Sequence, residues 1–505
     1  MNSSISLKEL KLRALIENQE AARRALGHGH PKKTLWTLSW PAMASMGLQA
    51  IFLLVDSIMI AQKDPYQASA TSFTITLAVF FPNALGLWIA LGANGLISRC
   101  IGERDFNKAA DAVAAAVQLC FIFGFLYPII ILFELDQLMR LLGLTENLMS
   151  YGRIYCQIMV GGTFSFCCSF ALTNILQAQA YAKISGFCQI LGTLANLIVD
   201  PIMIFKFNKG VVGSATATIV GNLVTSLCAL FFLISHKKSA PITIEIKRLF
   251  KFHACIWELL ALGIGGFFSN AANGVSVAIF DHLLKRSSPE IDYVDAVAAT
   301  IGCGFLLIYF FFSLSVGVNI GFIPAASYSV GAGLTKRFAK LSYYATLWES
   351  LIMLFGGAVI TAFAKWWPFV FYAGNDETNK YFRKVFTKCL YVIAPSRVTV
   401  GCTIVVFAMF QACHMPAMTA FVSALRQLIC LIPLCYIFAY TTKGPIDLLI
   451  AYPVSDLASV LITLLVFWIY RHKLHLTKSS QKGPLYETEV EVSEVSDENS
   501  AVEVL

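Results

Sequence analysis

Twelve long apolar stretches dominate this chain and constrain its fold more than any other feature. Each is long enough to cross the hydrocarbon core of a bilayer, which takes about 20 apolar residues as a helix. Hydrophobic residues make up 57% of the sequence and charged residues only 13%, far from the composition of a soluble globular domain. The stretches cover residues 34–61, 69–97, 112–134, 152–178, 184–206, 213–235, 257–281, 296–328, 342–364, 387–411, 417–440 and 446–470.

The length of these stretches favours helices over the short alternating strands of a membrane barrel. A helix satisfies its backbone N–H and C=O groups internally, as the hydrocarbon requires. The sequence therefore predicts an all-α polytopic membrane protein with twelve transmembrane helices.

The distribution of Lys and Arg predicts the orientation of the chain. Residues 1–33 are polar and basic and lack the short apolar core of a cleaved signal peptide, so the first stretch is expected to anchor the protein. With twelve spans the termini share one side, and that side carries more Lys and Arg than the other, despite a basic loop at 373–388. The positive-inside rule then places both termini in the cytosol.

The net charge of +8 is accounted for by juxtamembrane Lys and Arg that face anionic lipid. We therefore expect the lipid bilayer as a partner and no nucleic acid. A monomer is expected, in the plasma membrane rather than in an internal membrane.

Weak internal repeats divide the chain into two halves. The turn at 98–112 resembles the turn at 327–342, and 175–187 resembles 409–421 at nearly the same offset. Six spans per half predict two six-helix lobes related by a pseudo-two-fold axis along the membrane normal, an architecture typical of alternating-access transporters. The predicted domains are a cytosolic N-terminal segment (1–33), an N-lobe (34–235), a cytosolic linker with a surface helix (236–256), a C-lobe (257–470) and an acidic disordered cytosolic tail (471–505).

Two aspartates, Asp56 and Asp200, lie inside long apolar runs of the first half. An ionised carboxylate is costly in hydrocarbon, so an acid at such a position suggests a function. In the matching stretch of the second half, Ile432 stands before the proline where Asp200 precedes Pro201. This asymmetry predicts that the first half binds protons or cations.

Neighbouring residues complete the candidate site. Pro201 cannot donate a backbone hydrogen bond and is expected to interrupt the fifth span beside Asp200. Asn196 lies one helical turn earlier on the same face, and Thr218 supplies a hydroxyl in the next span. Pro41 gives the first span a place to bend. A purely structural role in joining helices stays open for Asn196 and Thr218.

The remaining polar residues give weaker signals. The cysteines and histidines lack metal-ligand spacing, so we expect no metal and no cofactor other than a coupling ion, and the intramembrane cysteines are interpreted as small core side chains. Glu258, Glu349 and Asp456 are interpreted as packing or interfacial residues. Arg426 is expected to neutralise a helix end or an acid.

Five stretches of the sequence carry a family resemblance: 40–61, 98–109, 176–205, 210–222 and 423–438. Together they are specific, and over nearly all of 34–470 the chain resembles the multidrug and toxic compound extrusion (MATE) family. The resemblance implies twelve helices in two six-helix lobes, and export of organic compounds in exchange for protons or sodium ions.

Within the family the chain is most similar to the DinF-like branch. Phe52 departs from a tyrosine of some members, and 263–274 offers only Asn270 and Asn273 where the NorM branch has a glutamate. The resemblance therefore favours a site in the N-lobe. It implies ion coupling by Asp56, Asp200, Asn196 and Thr218, with Pro41 as a conformational hinge and Pro201 as the second hinge predicted from the residues.

The sequence thus predicts a secondary active antiporter, not an enzyme, that exports cationic or amphipathic organic compounds by alternating access in exchange for H⁺ or Na⁺. The alternative is a lipid-linked oligosaccharide flippase of the same superfamily, which would favour additional spans or a cationic cavity. An intramembrane aspartyl protease would bring a GxGD-type motif, whereas this chain has Asp200 before a proline. A transporter fold that has lost transport is a further alternative, and Asp56 with Asp200 argues against it.

Overall fold

The computed structural model describes residues 7–63, 74, 76–141, 146–235, 242, 246–251, 253–286, 291–371, 377–441, 448–472 and 474, and its regular elements are all helical there. The helices of the first half are α1 (Leu7–Gly27), α2 (Pro31–Lys63), α3 (Phe81–Glu103), α4 (Phe106–Phe133), α5 (Leu135–Leu141), α6 (Glu146–Gly161), α7 (Thr163–Ala178), α8 (Ala182–Pro201) and α9 (Val211–Ser235). Those that follow are α10 (Ile246–Leu249), α11 (Cys255–Arg286), α12 (Ile291–Gly331), α13 (Thr335–Ala362), α14 (Pro368–Phe371), α15 (Glu377–Ile393), α16 (Val400–Ala412), α17 (Pro416–Ala424), α18 (Ile432–Thr441) and α19 (Ala451–Tyr470).

The spanning helices of the described residues agree with the twelve predicted stretches. Eleven are long and apolar enough to cross a membrane unaided. The twelfth is the pair Met149–Gly161 and Thr163–Ala178, which bends by 42° and corresponds to the predicted fourth span. The all-α fold with twelve spans is therefore confirmed.

The ends of the helices differ from the ends of the apolar runs. The second span is described from Thr76 to Glu103, whereas its apolar run covers 69–97, of which 69–73 and 75 lie outside the described residues. The third begins at Phe106, because Asp105 caps that helix by accepting a hydrogen bond from the Lys108 N–H, six residues before the apolar run. Apolar runs mark the hydrocarbon, while caps and turns decide where helices begin and end.

Two antiparallel helix pairs join the halves. In the first, α2 packs on α12, where Gly317 and Gly321 let the two backbones approach. A Cβ at Gly317 would lie 2.5 Å from the Met43 Cα, and the Ser39 hydroxyl donates to the Val318 carbonyl at 3.2 Å. Small residues at such crossings are the usual means of close packing between membrane helices.

The second pair is α3 on α11. A Cβ at Gly263 would overlap the Trp88 carbonyl, and the Trp88 indole N–H donates to the Leu260 carbonyl at 2.7 Å. Lys108 and Glu258 form an ion pair of 2.8 Å at one end of this contact. The second half thus supplies glycines at both crossings.

Helices are interrupted at several places within the described spans, among them the bend between α6 and α7 and a π-helical turn, Thr76–Phe80, before α3. The regular α8 ends at Pro201 and continues as a π-helical turn, Ile202–Lys206. Another π-helical segment, Leu425–Leu431, lies between α17 and α18, and a 3₁₀ turn, Pro395–Thr399, lies between α15 and α16. Such breaks are frequent at functional sites.

The flanking segments are described only in part. The N-terminal segment contains α1, which the sequence did not predict, and Arg337 donates to the Leu26 and Gly29 carbonyls at its end. Of the surface helix predicted for the linker, the described residues contain only the single turn α10. Residues 473 and 475–505 of the predicted tail lie outside them.

Candidate functional site

Asp200 is the most enclosed of the predicted site residues. It stands at the end of α8, directly before Pro201, and its side chain is 0% exposed. Neither of its carboxyl oxygens accepts a hydrogen bond from a donor of the described residues. A buried carboxyl without a donor strongly disfavours the ionised form unless a cation or a proton joins it.

Asp56 lies beside Asp200, on a neighbouring helix. It is half-buried on α2, and its Oδ1 accepts a hydrogen bond from the Ser214 hydroxyl at 3.0 Å. The two carboxyl groups are close enough to share a hydrogen bond once one of them carries a proton. The structure therefore brings together the two acids that the sequence singles out.

A constant register between α2 and α8 places these acids opposite each other. The two helices run parallel: Gly186 packs on Pro41, where a Cβ would lie 2.7 Å from the proline Cβ, and Ser45 donates to the Gln189 side chain at 3.0 Å. The sequence separations are 145 residues (186 − 41) and 144 residues (189 − 45). Asp56 and Asp200 are also 144 residues apart (200 − 56). The packing of Gly186 on Pro41 therefore fixes the register that places the two acids side by side.

A tight turn returns the chain from α8 to α9 and delivers Ser214. Asn208 and Gly210 both adopt positive φ angles, 58° and 52°, which asparagine and glycine tolerate best. The α9 backbone then packs closely on α8, since a Cβ at Gly221 would lie 2.9 Å from the Asn196 Cβ. The hydroxyl of Ser214, in the first turn of α9, thereby reaches Asp56.

Asn196 and Thr218 lie on the same two helices as the acids. Asn196 is 7% exposed, and its Oδ1 has no hydrogen-bond partner among the described residues. Thr218 is half-buried, and its backbone carbonyl accepts from the Asn222 side chain at 3.0 Å. In the described residues no hydrogen bond joins either side chain to the acids, so their part in ion coupling stays a prediction.

Two groups at the site were missed by sequence reasoning. Ser214 stands one turn before Thr218 in a stretch rich in small residues, and only the crossing of α9 over α2 reveals its role. Tyr155 of α6 is 8% exposed, and both aspartates lie near enough to act electrostatically on its phenol. A single tyrosine within a span carries no distinguishing sequence signal.

The electrostatic environment of the pair contains no described base. The groups that act on Asp56 are Asp200 and the Ser214 hydroxyl, and the group that acts on Asp200 is Asp56. Two carboxylates so close cannot both ionise without a compensating cation. The described residues hold no group of three or more His, Cys, Asp or Glu that could bind a metal ion. The arrangement is therefore suited to exchange of a proton or of a monovalent cation with oxygen ligands.

Comparison with known proteins agrees with this architecture. The family model MatE matches residues 41–202 and 294–437, more than half of the chain. The multidrug export protein MepA of Staphylococcus saprophyticus is 22% identical over 438 residues, which are 86% of this chain and 94% of that protein. MepA of Staphylococcus haemolyticus is 24% identical over 306 residues, 60% of this chain and only 66% of that protein, just under two thirds of its length.

A crystal structure of a MATE protein in complex with MaL6 superimposes with a TM-score of 0.80 at 22% identity, covering 90% of this chain and 99% of the other. That likeness shows the fold, twelve helices in two lobes. MATE proteins are membrane transporters and not enzymes. The chain therefore belongs to the MatE family, and the resemblance predicted from its sequence is confirmed.

Proposed function

We propose that the protein is a secondary active antiporter that exports organic compounds in exchange for H⁺ or Na⁺. One observation carries the proposal: Asp56 and Asp200 face each other in the first half with no described basic side chain beside them. A pair that lacks a permanent counter-charge needs an exchangeable cation, and loss of that cation changes the energy of the surrounding packing.

The coupling mechanism follows from the helices that carry the pair. Occupation by a cation removes the repulsion between Asp56 and Asp200, so α2 and α8 approach more closely at that end. Pro41 offers no N–H to the Thr37 carbonyl, which weakens α2 at the point where it packs on Gly186. Bending there would reposition α2 against α12 and so alter the contact between the halves.

Ion and substrate need not meet in this mechanism. If the ion favours one arrangement of the halves and the substrate favours the other, each lowers the affinity for its competitor. One net charge that crosses 100 mV provides about 2.3 kcal/mol, enough for a concentration ratio of roughly fifty. This energy applies to export of a neutral or zwitterionic compound, whereas one-for-one exchange for an organic cation is driven by the concentration gradient of the ion alone. A single coupling ion therefore supports useful export.

Ethidium efflux from proteoliposomes under an imposed pH or sodium gradient tests the proposal. We expect gradient-driven efflux by the wild type and its loss in Asp56→Asn and in Asp200→Asn. Glu349→Gln is the matched control, because Glu349 is also a fully buried carboxyl without a described hydrogen-bond donor but lies in the second half. Efflux that persists unchanged in both asparagine variants would overturn the assignment of the pair.

We further propose that both termini lie in the cytosol, that the protein resides in the plasma membrane and that it is a monomer. The basic residues around the predicted cytosolic loops support the orientation. Accessibility of a protease site inserted at either end of the chain, measured in intact and permeabilised cells, checks the orientation. Cleavage in intact cells would contradict it.

The lipid-linked oligosaccharide flippase remains the second candidate function. One observation of the structure favours a phosphate-bearing substrate, the pair of arginines inside the second half.

A further inference from the structure

Three ionisable side chains meet inside the second half, well within the spans. Arg397 lies in the 3₁₀ turn between α15 and α16, Arg426 in the π-helical segment after α17, and Asp456 in α19. The Arg426 Nη1 lies 3.4 Å from one Asp456 oxygen, and the Arg397 Nε lies 3.7 Å from the other. Ser396 also donates its hydroxyl hydrogen to Asp456, at 2.7 Å.

Among the described residues, the charges of this cluster do not balance. Two guanidinium groups face one carboxylate, which leaves one positive charge. Among the described residues the charged groups that act on Arg426 are Arg397 and Asp456. Glu349, the other buried acid of this half, does not compensate, since the neighbouring group that acts on it is Cys402. An uncompensated charge within a span is costly and marks a functional site by default.

Donors remain available on both arginines. The Arg397 side chain is 9% exposed, and its Nε donates to no described residue. The guanidinium lies 5.6 Å from the centre of the Tyr452 ring, which itself packs on Phe280. Arg426 uses only Nη1 toward Asp456 and keeps 19% of its side chain exposed. The two cations are thus held in place with unused N–H groups.

Asp456 fixes the two arginines without neutralising them. Its oxygens accept from Ser396 and Arg426, while Ser455 donates to the Arg426 carbonyl at 2.8 Å and ties the π-helical segment to α19. Such support orients a binding group and leaves its surplus charge for a ligand.

We propose that Arg397 and Arg426 bind an oxyanion, a carboxylate or phosphate group, of the transported compound. The forked guanidinium matches the geometry of such groups and binds them more strongly than neutral donors do. The inference rests on the proposed export function and adds a substrate class to it, organic compounds that carry an anionic group. The acid pair of the first half then binds the coupling cation, and the two arginines of the second half bind the anionic group of the substrate.

A matched pair of fluorescent compounds tests this site. Tetramethylrhodamine carries a carboxylate, and its methyl ester differs only in lacking that charge. Binding of both to the full-length protein in nanodiscs is measured by fluorescence anisotropy. We expect the carboxylate form to bind roughly tenfold or more tightly than the ester, and Arg397→Gln and Arg426→Gln to abolish the difference while leaving ester binding unchanged.

Asp456→Asn separates a ligand site from a structural ion pair. Removing the carboxylate raises the surplus charge, so the carboxylate probe should bind more tightly than to the wild type while the ester does not. A structural pair predicts no gain. If the glutamine variants fail to fold, as judged by size-exclusion chromatography, Arg426→Lys still decides the question, because it keeps the charge but loses the guanidinium fork and should weaken the preference for the carboxylate probe. An equal preference for the carboxylate probe in the wild type and in every variant that folds would overturn the inference.

A second pair of compounds distinguishes a lipid phosphate from a soluble anion as the ligand. Ethidium efflux distinguishes failure of this inference from failure of the proposed antiport. Preference for a short-chain fluorescent phosphatidic acid over the matching phosphatidylcholine, lost in Arg426→Gln, would assign the site to a lipid phosphate. Preference for the rhodamine carboxylate alone would assign it to a soluble compound. Ethidium has no anionic group, so its gradient-driven efflux by the wild type, lost in Asp200→Asn, supports the antiporter whatever the anionic probes show.

Discussion

The two halves both place ionisable side chains within their spans but in opposite chemical settings. In the first half, Asp56 and Asp200 face each other and one hydroxyl, with no described base near them. In the second half, Asp456 lies between Arg397 and Arg426. An acid pair must acquire a cation from outside the protein, whereas the arginine cluster carries its own partial counter-charge. The similarity in fold between the two halves therefore does not extend to their charged residues.

The largest effect that separates the two regions should be seen in stability. Asp456→Asn leaves two buried guanidinium groups without their carboxylate and should lower the free energy of unfolding by about 3–5 kcal/mol. Asp200→Asn removes a buried carboxyl that accepts no described hydrogen bond, so it should leave stability unchanged or raise it. Thermal unfolding in detergent checks both variants. A similar loss of stability in both variants would show that the two regions do not differ in this respect.

Ser214 provides a smaller test on the acid side of the comparison. It is the described hydrogen-bond donor to Asp56, and a hydrogen bond to a charged group contributes about 1.5–3 kcal/mol. Ser214→Ala should therefore change the apparent affinity for the coupling ion by roughly tenfold or more, measured from the ion dependence of ethidium efflux.

Thr218→Val serves as the control for this prediction. Thr218 is a hydroxyl one turn further along α9 without a described hydrogen bond to either acid. An equal effect of both substitutions would show that the hydrogen bond from Ser214 is not decisive and that Thr218 belongs to the ion site as well.

Tyr155→Phe asks whether the phenol belongs to the acid pair. The ring is buried near both aspartates. Loss of its hydroxyl should shift the ion dependence of ethidium efflux less than Ser214→Ala does, because no described hydrogen bond links the phenol to Asp56. The same efflux titration measures the shift. A complete loss of coupling would instead make Tyr155 a primary ion ligand.

Glu349→Gln should have the smallest effect of all. The carboxyl is 0% exposed and has no described donor, a setting in which the neutral acid is strongly favoured. Replacement by the neutral amide should leave gradient-driven efflux within about twofold of the wild type, since surrounding packing is preserved. Loss of coupling would place a second ion site in the second half.

Much of the fold was accessible from the sequence, because bilayer thickness sets the length of each apolar run. The pairing of the acids was less direct. It follows from a parallel register that begins at Pro41 and Gly186, and no periodicity within either helix reveals that contact. Interruption of the fifth span at Pro201 was predicted correctly, since proline cannot continue the helical hydrogen bonding.

Other features depend on contacts between residues far apart in the chain. Asp456 was interpreted as a packing residue, while its partners Arg397 and Arg426 come from two other spans. Arg426 was expected to neutralise a helix end or an acid, and the ion pair with Asp456 is such an acid contact. Ser214 escaped notice because a serine among small residues is common in spans.

In the proposed mechanism, the acid pair of the first half releases its cation when substrate binds. The most direct test is to add ethidium to purified transporter in weakly buffered solution and to record proton release with a pH indicator, or sodium release with a sodium-selective electrode. We expect release of H⁺ or Na⁺ by the wild type and by Glu349→Gln, and none by Asp200→Asn. Substrate binding without release from the wild type, or equal release from Asp200→Asn, would contradict the mechanism.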